Sequence, residues 1–193
     1  MIIGITGGTG CGKTTALNVI RELGGIVIDC DAVYHVLLQT DPNLLATIES
    51  RFPGTVENGQ LLRKKLGAIV FSDENALADL NKITHSAVNN KVQHILSKNP
   101  GHLSAIDAIE LFDGGLAKLC DITVAITAPL EDRIARLQAR DNISREYAEL
   151  RIRAQKDERY FRSHCDYILE NNGSAEDFQK KCLAFFHPFT IIN

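Results

Sequence analysis

The sequence predicts an α/β fold, a five-stranded parallel sheet with helices on both faces, on three observations. Short apolar runs alternate with stretches of helical periodicity, which is the pattern of a parallel sheet with crossover helices. The first apolar run ends in a glycine-rich turn that opens straight into a helix. The stretch between the second and third apolar runs is helical and too long for a simple crossover, so it forms a lobe beside the sheet.

In chain order, residues 2–6 are the first strand, a short apolar run ending in glycines. A helix is expected over 12–23, with Leu17, Ile20 and Leu23 at helical spacing, and Gly24-Gly25 stops it. Residues 26–28 start a second strand that ends in Asp29-Cys30-Asp31. Residues 42–98 read as mostly helical, with loops at Pro53-Gly54 and Asn58-Gly59. Strand signals return at 103–109 and 122–128, followed by helical patterns over 130–140 and 144–155. A short strand at 167–169 and a helix over 174–186 complete the reading. The expected division is a sheet core of 1–41, 99–128 and 164–193, a helical lobe of 42–98 and a lid region of 129–163. The aromatics of residues 185–193 either pack on the sheet or mark a contact surface, packing being the favoured role.

A chain of 193 residues suits one compact domain with an inserted lobe. Its hydrophobic fraction of 45% lets it build a core without metals or disulfides. A net charge of −3 argues against a general nucleic-acid binder. The five cysteines are odd in number and match no zinc or redox spacing, so they are expected as reduced thiols in a cytoplasmic protein. The opening MIIGITGG carries no basic leader, and no apolar stretch reaches the ~18 residues needed to cross a bilayer. Neither a signal peptide nor a membrane partner is expected.

Gly7-Gly8-Thr9-Gly10-Cys11-Gly12-Lys13-Thr14 fits G-x-x-x-x-G-K-[ST] at every fixed position. The glycines let backbone N–H groups turn inward, and Lys13 supplies a point charge to the β- and γ-phosphates. Thr14 offers its hydroxyl to Mg²⁺, and the helix that follows adds its positive end. A GTPase reading fails, because no aspartate has a glycine three positions later and Asn81-Lys82-Ile83-Thr84 ends in threonine where guanine recognition needs a carboxylate. A G-x-G-x-x-G dinucleotide site fails as well, since Gly8-x-Gly10 is followed by Lys13. These exclusions favour an ATP-using kinase for a small metabolite or nucleotide.

Asp29 and Asp31 lie where the second strand ends, on the loop's side of the sheet. A carboxylate there can take the proton of an attacking hydroxyl. Asp31 is further beyond the strand and better placed, its alternative role being to cap the helix beginning near Ala32. Asp107, ending the third strand, suits a magnesium site of the Walker B kind or a structural turn.

Eight of the eleven arginines fall between Arg133 and Arg162, where nine basic residues face five acidic ones. Arg133, Arg136 and Arg140 share one helix face beside an apolar stripe of Leu130, Ile134 and Leu137. A solvated basic face, a phosphate-closing lid and an RNA surface are the three readings. The lid is the sharpest, and the lack of interleaved aromatics weakens RNA.

Taken together, these residues resemble the dephospho-coenzyme A kinase family over nearly the whole chain. The resemblance rests on GITGGTGCGKTT, on Ile28-Asp29-Cys30-Asp31, and on Arg63-Lys64-Lys65-Leu66-Gly67 with Val70-Phe71-Ser72-Asp73 and Leu80-Asn81-Lys82-Ile83-Thr84-His85. It extends to Arg136-Leu137-Gln138-Ala139-Arg140-Asp141, Arg151-Ile152-Arg153-Ala154-Gln155 and Ile168-Leu169-Glu170-Asn171-Asn172-Gly173. It implies a three-layer fold like that of nucleoside-monophosphate kinases, and transfer of the ATP γ-phosphate to dephospho-coenzyme A in the last step of coenzyme A synthesis. It also implies Asp31 as base, Arg140 and Arg151 as lid arginines, and Gly8, Gly10, Cys11, Gly12, Lys13, Thr14, Thr15 and Asn171 around ATP. Arg63, His85 and Asp107 are implied on the acceptor side, with ATP and dephospho-coenzyme A as the small-molecule partners of a monomer or weak homo-oligomer. Three departures stand out. Ser86 follows His85 where the family has proline, His35 stands for arginine, and Asp107-Ala108-Ile109-Glu110-Leu111-Phe112-Asp113 replaces Asp-x-Pro-Leu-Leu-Phe-Glu.

Overall fold

Five apolar segments pair in one sheet because each offers an unbroken or nearly unbroken apolar run that helices cover on both faces. The computed structural model describes residues 1–190. Its strands are β1 (Ile2–Thr6), β2 (Ile26–Asp29), β5 (Ser104–Asp107), β6 (Ile122–Thr127) and β7 (Tyr167–Glu170), with β3 (Val56–Glu57) and β4 (Gln60–Leu61) forming a separate hairpin. The sheet order is β2-β5-β1-β6-β7. β1 is central and parallel to both neighbours, with Ile5 opposite Asp107 and Val124. Placing the glycine-rich turn after the central strand puts it at the middle of the sheet's carboxyl edge.

The chain divides into two compact units, residues 1–28 with 99–193, and residues 29–98. In the first, α1 (Lys13–Glu22) packs against α9 (Ala175–Phe186). Alternate strand residues feed one core: Ile3, Ile5, Ala105, Val124, Ile126 and Leu169 meet Ala16, Leu17 and Ile20 of α1 and Phe178, Cys182 and Phe186 of α9. On the opposite face Leu111 and Cys120 press against Gly4, where no larger side chain fits. Phe185 and Phe189 pack on the main core, so the described part of the tail is a packing element, and residues 191–193 lie outside the described residues.

In this unit α6 (Leu130–Asp141) and α7 (Arg145–Arg153) share a small core of Ile134, Leu137 and Ala148, with Ile143 and Ile152 beside it. Leu130, expected in that stripe, is half exposed at the first turn. One helix, α8 (Glu158–His164), was not expected. Asp157 caps it by accepting from the Tyr160 N–H, and it buries Phe161 alone, too little for a periodicity to register. The strand expected over 103–109 stops at Asp107, and residues 109–115 turn instead.

The second unit is helical, with α2 (Cys30–Thr40), α3 (Pro42–Arg51), α4 (Arg63–Val70) and α5 (Glu74–Ser97). α5 packs against the other three and buries Ala76, Leu80, Val88 and Val92. It runs unbroken through Ser86, so the departure from proline there removes a helix breaker rather than reshaping a loop. Asn58 and Gly59 both hold positive φ, 51° and 74°, and close the β3–β4 hairpin as a two-residue turn.

Candidate active site

The site is built on the junction of β1 and α1. Lys13 Nζ donates to Asp107 Oδ1 at 2.7 Å, and both side chains are less than one-fifth exposed. Register explains the pair: Asp107 lies beside Ile5 at the end of β5, one strand from the turn that carries Lys13. Thr14 is exposed and Thr15 partly so in the first turn of α1. The loop and the end of β5 therefore place a cation, a carboxylate and two hydroxyl-bearing residues at the positive end of a helix.

Side chains far away in sequence hold the loop's backbone. Gln155 Oε1 accepts from the Thr9 N–H at 2.7 Å, and Arg133 Nε donates to the Thr9 carbonyl at 2.9 Å. Arg136 Nη1 donates to the Gly10 carbonyl at 3.2 Å, and Asn171 Nδ2 to the Cys11 carbonyl at 2.9 Å. Gly12 has φ 100°, and a Cβ there would collide with Asn171. A Cβ at Gly8 would strike the Arg133 guanidinium. Gly12 is constrained to glycine by its left-handed backbone, whereas at Gly8 a Cβ would have to displace the end of the Arg133 side chain. Cys11 is buried, and burial raises its thiol pKa against the opposing field of Arg133.

The expected arginine face thus splits. Arg133 and Arg136 turn to the loop. Arg140 instead binds Asp141 through Nε at 2.7 Å and Nη2 at 2.9 Å, and Arg151 Nη1 binds the same carboxylate at 2.5 Å. The two guanidinium groups hold the Asp141 carboxyl down at about 2, their hydrogen bonds outweighing desolvation. The structure brings Arg140 and Arg151 together at one residue. Arg133, Arg136 and Gln155 carry the loop contacts, and the sequence signalled them only as a shared basic face and a motif end.

The turn after β5 is tied to α8. Lys156 Nζ lies 3.1 Å from Asp113 Oδ2 and 4.7 Å over the Tyr160 ring. Phe112 meets Tyr160 and His164 edge-on, and those two rings stack at 4.0 Å. His164 Nδ1 lies 2.8 Å from the Tyr160 carbonyl, which makes that nitrogen the donor. The segment 107–113, a departure at sequence level, is an ordered turn in this setting.

In the helical unit, Asp29 and not Asp31 caps α2, its Oδ1 accepting from the Ala32 N–H at 2.9 Å. Asp31 is exposed in the first turn of that helix, and His35 Nδ1 lies 2.7 Å from the Asp31 carbonyl. The capping role weighed for Asp31 therefore belongs to its neighbour. Arg63 opens α4 and faces Tyr34, whose phenol burial pushes up while the guanidinium opposes the rise. His85 is half-buried on α5. A groove of about 1090 Å³ between α2, α3 and α5 is lined by Leu37, Leu44 and Ile83 with Arg51, Lys82 and Lys91, and includes neither Arg63 nor His85.

A metal fits the donor set only in part. Among the described residues no three His, Cys, Asp or Glu side chains cluster to hold one. The Thr14 hydroxyl and the Asp107 carboxylate are oxygen donors of the kind Mg²⁺ takes alongside phosphate oxygens.

Comparison with known proteins agrees with this arrangement. A family model described as dephospho-CoA kinase matches residues 1–177. The chain is 34% identical over 190 residues to the dephospho-CoA kinase of Thermus thermophilus, covering 98% of this chain and 92% of that one. It is 35% identical over 181 residues to the Moorella thermoacetica dephospho-CoA kinase, covering 91% and 85%. Among solved structures, that of TT1252 from Thermus thermophilus superposes with TM-score 0.79 at 34% identity, over 97% of each chain. Dephospho-CoA kinase from Campylobacter jejuni gives 0.70 at 25%, over 98% of this chain and 96% of the other. A shikimate kinase from Bacteroides thetaiotaomicron, at 17% identity and TM-score 0.58, shares the P-loop kinase fold. With the family model covering residues 1–177 and relatives about one-third identical along nearly the whole chain, the chain belongs to the dephospho-CoA kinase family.

Proposed function

We propose that this kinase transfers the γ-phosphate of ATP to the ribose 3′-hydroxyl of dephospho-coenzyme A. The observation that carries the reading is the Gly7–Thr14 loop between β1 and α1, with Lys13 facing Asp107, in a chain that matches dephospho-CoA kinases throughout. The bond from the γ-phosphorus to the bridging oxygen breaks, a bond to the 3′ oxygen forms, and the hydroxyl proton passes to Asp31. Coenzyme A and ADP leave.

Lys13 and the loop N–H groups offset charge on the phosphates, and positioning with electrostatics supplies most of the rate. The Thr14 hydroxyl would hold Mg²⁺, with the Asp107 carboxylate that pairs with Lys13 as a supporting group, and the ion's charge would add to that of Lys13. Arg140 and Arg151 close on the phosphates from the lid segment once they exchange Asp141 for phosphate oxygens. Asn171 supports the loop around ATP through the Cys11 carbonyl. Arg63 and His85 contact the acceptor's pantetheine arm.

No described helix is long and apolar enough to cross a membrane. We place the enzyme in the cytoplasm as a monomer or weak homo-oligomer acting on small molecules, with no nucleic-acid partner.

The test is ADP release from ATP and Mg²⁺ with dephospho-coenzyme A, adenosine, AMP or CMP as acceptor. Stimulation by dephospho-coenzyme A with coenzyme A as product supports the reading, and stimulation by another acceptor alone overturns it. Asp31→Asn should leave ATP affinity unchanged and lower kcat by about 10²-fold or more, the size of a lost general base. Full activity in that variant would remove Asp31 from the role.

A further inference from the structure

The contacts of the phosphate loop are one-sided. Three successive carbonyls, of Thr9, Gly10 and Cys11, each accept a hydrogen bond from a side chain of a distant element: Arg133, Arg136 and Asn171. A trans peptide plane points its C=O and the following N–H in opposite directions. Fixing a carbonyl therefore aims the next residue's N–H away from the side chain that holds it. The residues so aimed are Gly10, Cys11 and Gly12. Cys11 N–H closes a long turn on the Gly8 carbonyl at 3.3 Å, while among the described residues the Gly10 and Gly12 N–H groups have no partner. The Thr9 N–H, by contrast, is taken up by Gln155.

Two of the three donors keep a buried polar atom without a partner, Asn171 Oδ1 and Arg133 Nη2, and only in Arg133 is that group cationic. Arg133 forms no ion pair among the described residues, and its Nη2 is buried against Gly8 without a hydrogen-bond partner. A cationic donor buried in this way is costly. Negative charge gathered in the adjacent loop would offset that cost. A cation hydrogen-bonded at the carbonyl end of a peptide also strengthens the N–H at the other end, since linked hydrogen bonds polarise one another.

We propose that Arg133 is a positioning residue for phosphate transfer: by holding the Thr9 carbonyl it aims the Gly10 N–H at the polyphosphate, the first of three peptide planes set by Arg133, Arg136 and Asn171. The inference rests on the reading that the loop receives a triphosphate. It makes the outer side of the loop part of the machinery, although Arg133 itself acts only through the backbone.

The test compares Arg133→Met with Arg133→Gln. Methionine fills a similar length without a donor. Glutamine puts a neutral N–H donor at the same distance along the side chain as the arginine Nε. Binding of inorganic tripolyphosphate is measured by calorimetry, KM for ATP and for dephospho-coenzyme A by steady-state kinetics, and Tm by thermal unfolding. The expected result for Arg133→Met is a rise of about tenfold in the tripolyphosphate Kd and the ATP KM, with the acceptor KM within about twofold. Arg133→Gln is expected to recover most of that loss. Wild-type tripolyphosphate affinity in Arg133→Met would overturn the proposal even if Tm falls, since a brace alone would then explain the contact. Arg133→Gln as weak as Arg133→Met would overturn it too, by assigning the effect to charge rather than to the carbonyl bond. The tripolyphosphate arm needs no acceptor, so it reads the loop whether or not dephospho-coenzyme A is the substrate.

Discussion

At the scale of single residues, the pairing of Lys13 with Asp107 sets a competition. The lysine is held by a carboxylate at 2.7 Å in a setting less than one-fifth exposed, and an incoming phosphate must take that cation over. Asp107→Asn removes the opposing charge but keeps the shape. Metal-free ADP is therefore expected to bind roughly tenfold tighter, the effect of removing one charge several ångströms from a phosphate at an effective dielectric of about 20. Calorimetry in EDTA measures it. Weaker binding would show that Asp107 helps to hold the nucleotide rather than competing with it. The loop itself was legible from sequence because each of its residue types has a local reason to be there. Its supports were not legible from spacing: Gln155 and Asn171 meet the loop from 146 and 160 residues away, and Asn171 was named only through the family resemblance. The helix cap weighed for Asp31 falls to Asp29, whose Oδ1 accepts from the Ala32 N–H.

At the scale of elements, α6 and α7 are joined by a small apolar core and by Asp141, which gathers Arg140 and Arg151 at the end of α6. The periodicity of Ile134 and Leu137 made α6 legible, whereas the unions it enters depend on how the chain returns through Asn142, whose φ of 51° turns it back. Similarly, β5 was read too long because Ala108 and Ile109 continue an apolar run, yet only Ala108 is buried and Ile109 is nearly half exposed. The Asp141 network makes a pH-dependent prediction. The folded pKa of this carboxyl, about 2, lies below the ordinary value near 4 of an unfolded chain. Its contribution is therefore full above about pH 4 and is lost as pH falls toward about 2. Asp141→Asn should lower Tm at pH 7, and the gap to the wild type should close progressively below about pH 4. A gap that is constant from pH 7 down to about pH 2 would mean that the network adds nothing through ionisation.

At the scale of the whole molecule, the five cysteines sample both compact units, and none forms a disulfide. Cys11, Cys30 and Cys182 are buried, and Cys120 and Cys165 are partly so. Burial pushes the thiols of Cys120 and Cys182 up to about 12, with Asp121 and Asp166 adding to the first and Lys181 opposing the second. Burial and then Asp166 take Cys165 to about 11. The reactive species is the thiolate. At pH 8 a thiol of pKa about 12 is ionised in about one molecule in 10⁴, against roughly a quarter for an unperturbed thiol near 8.5. Ionisation and access therefore act in the same direction, and the reduced state expected of these thiols is matched by low reactivity. Ellman's reagent at pH 8 should label the folded protein at least about 10²-fold more slowly than the urea-unfolded chain, in which all five thiols react together. Cys11 is the most informative of them, because it lies within the phosphate loop and bound ATP should slow its labelling further. A stoichiometric burst from the folded protein would show that at least one thiol is exposed and ionised in the native state, and mapping it would identify the part of the fold that opens.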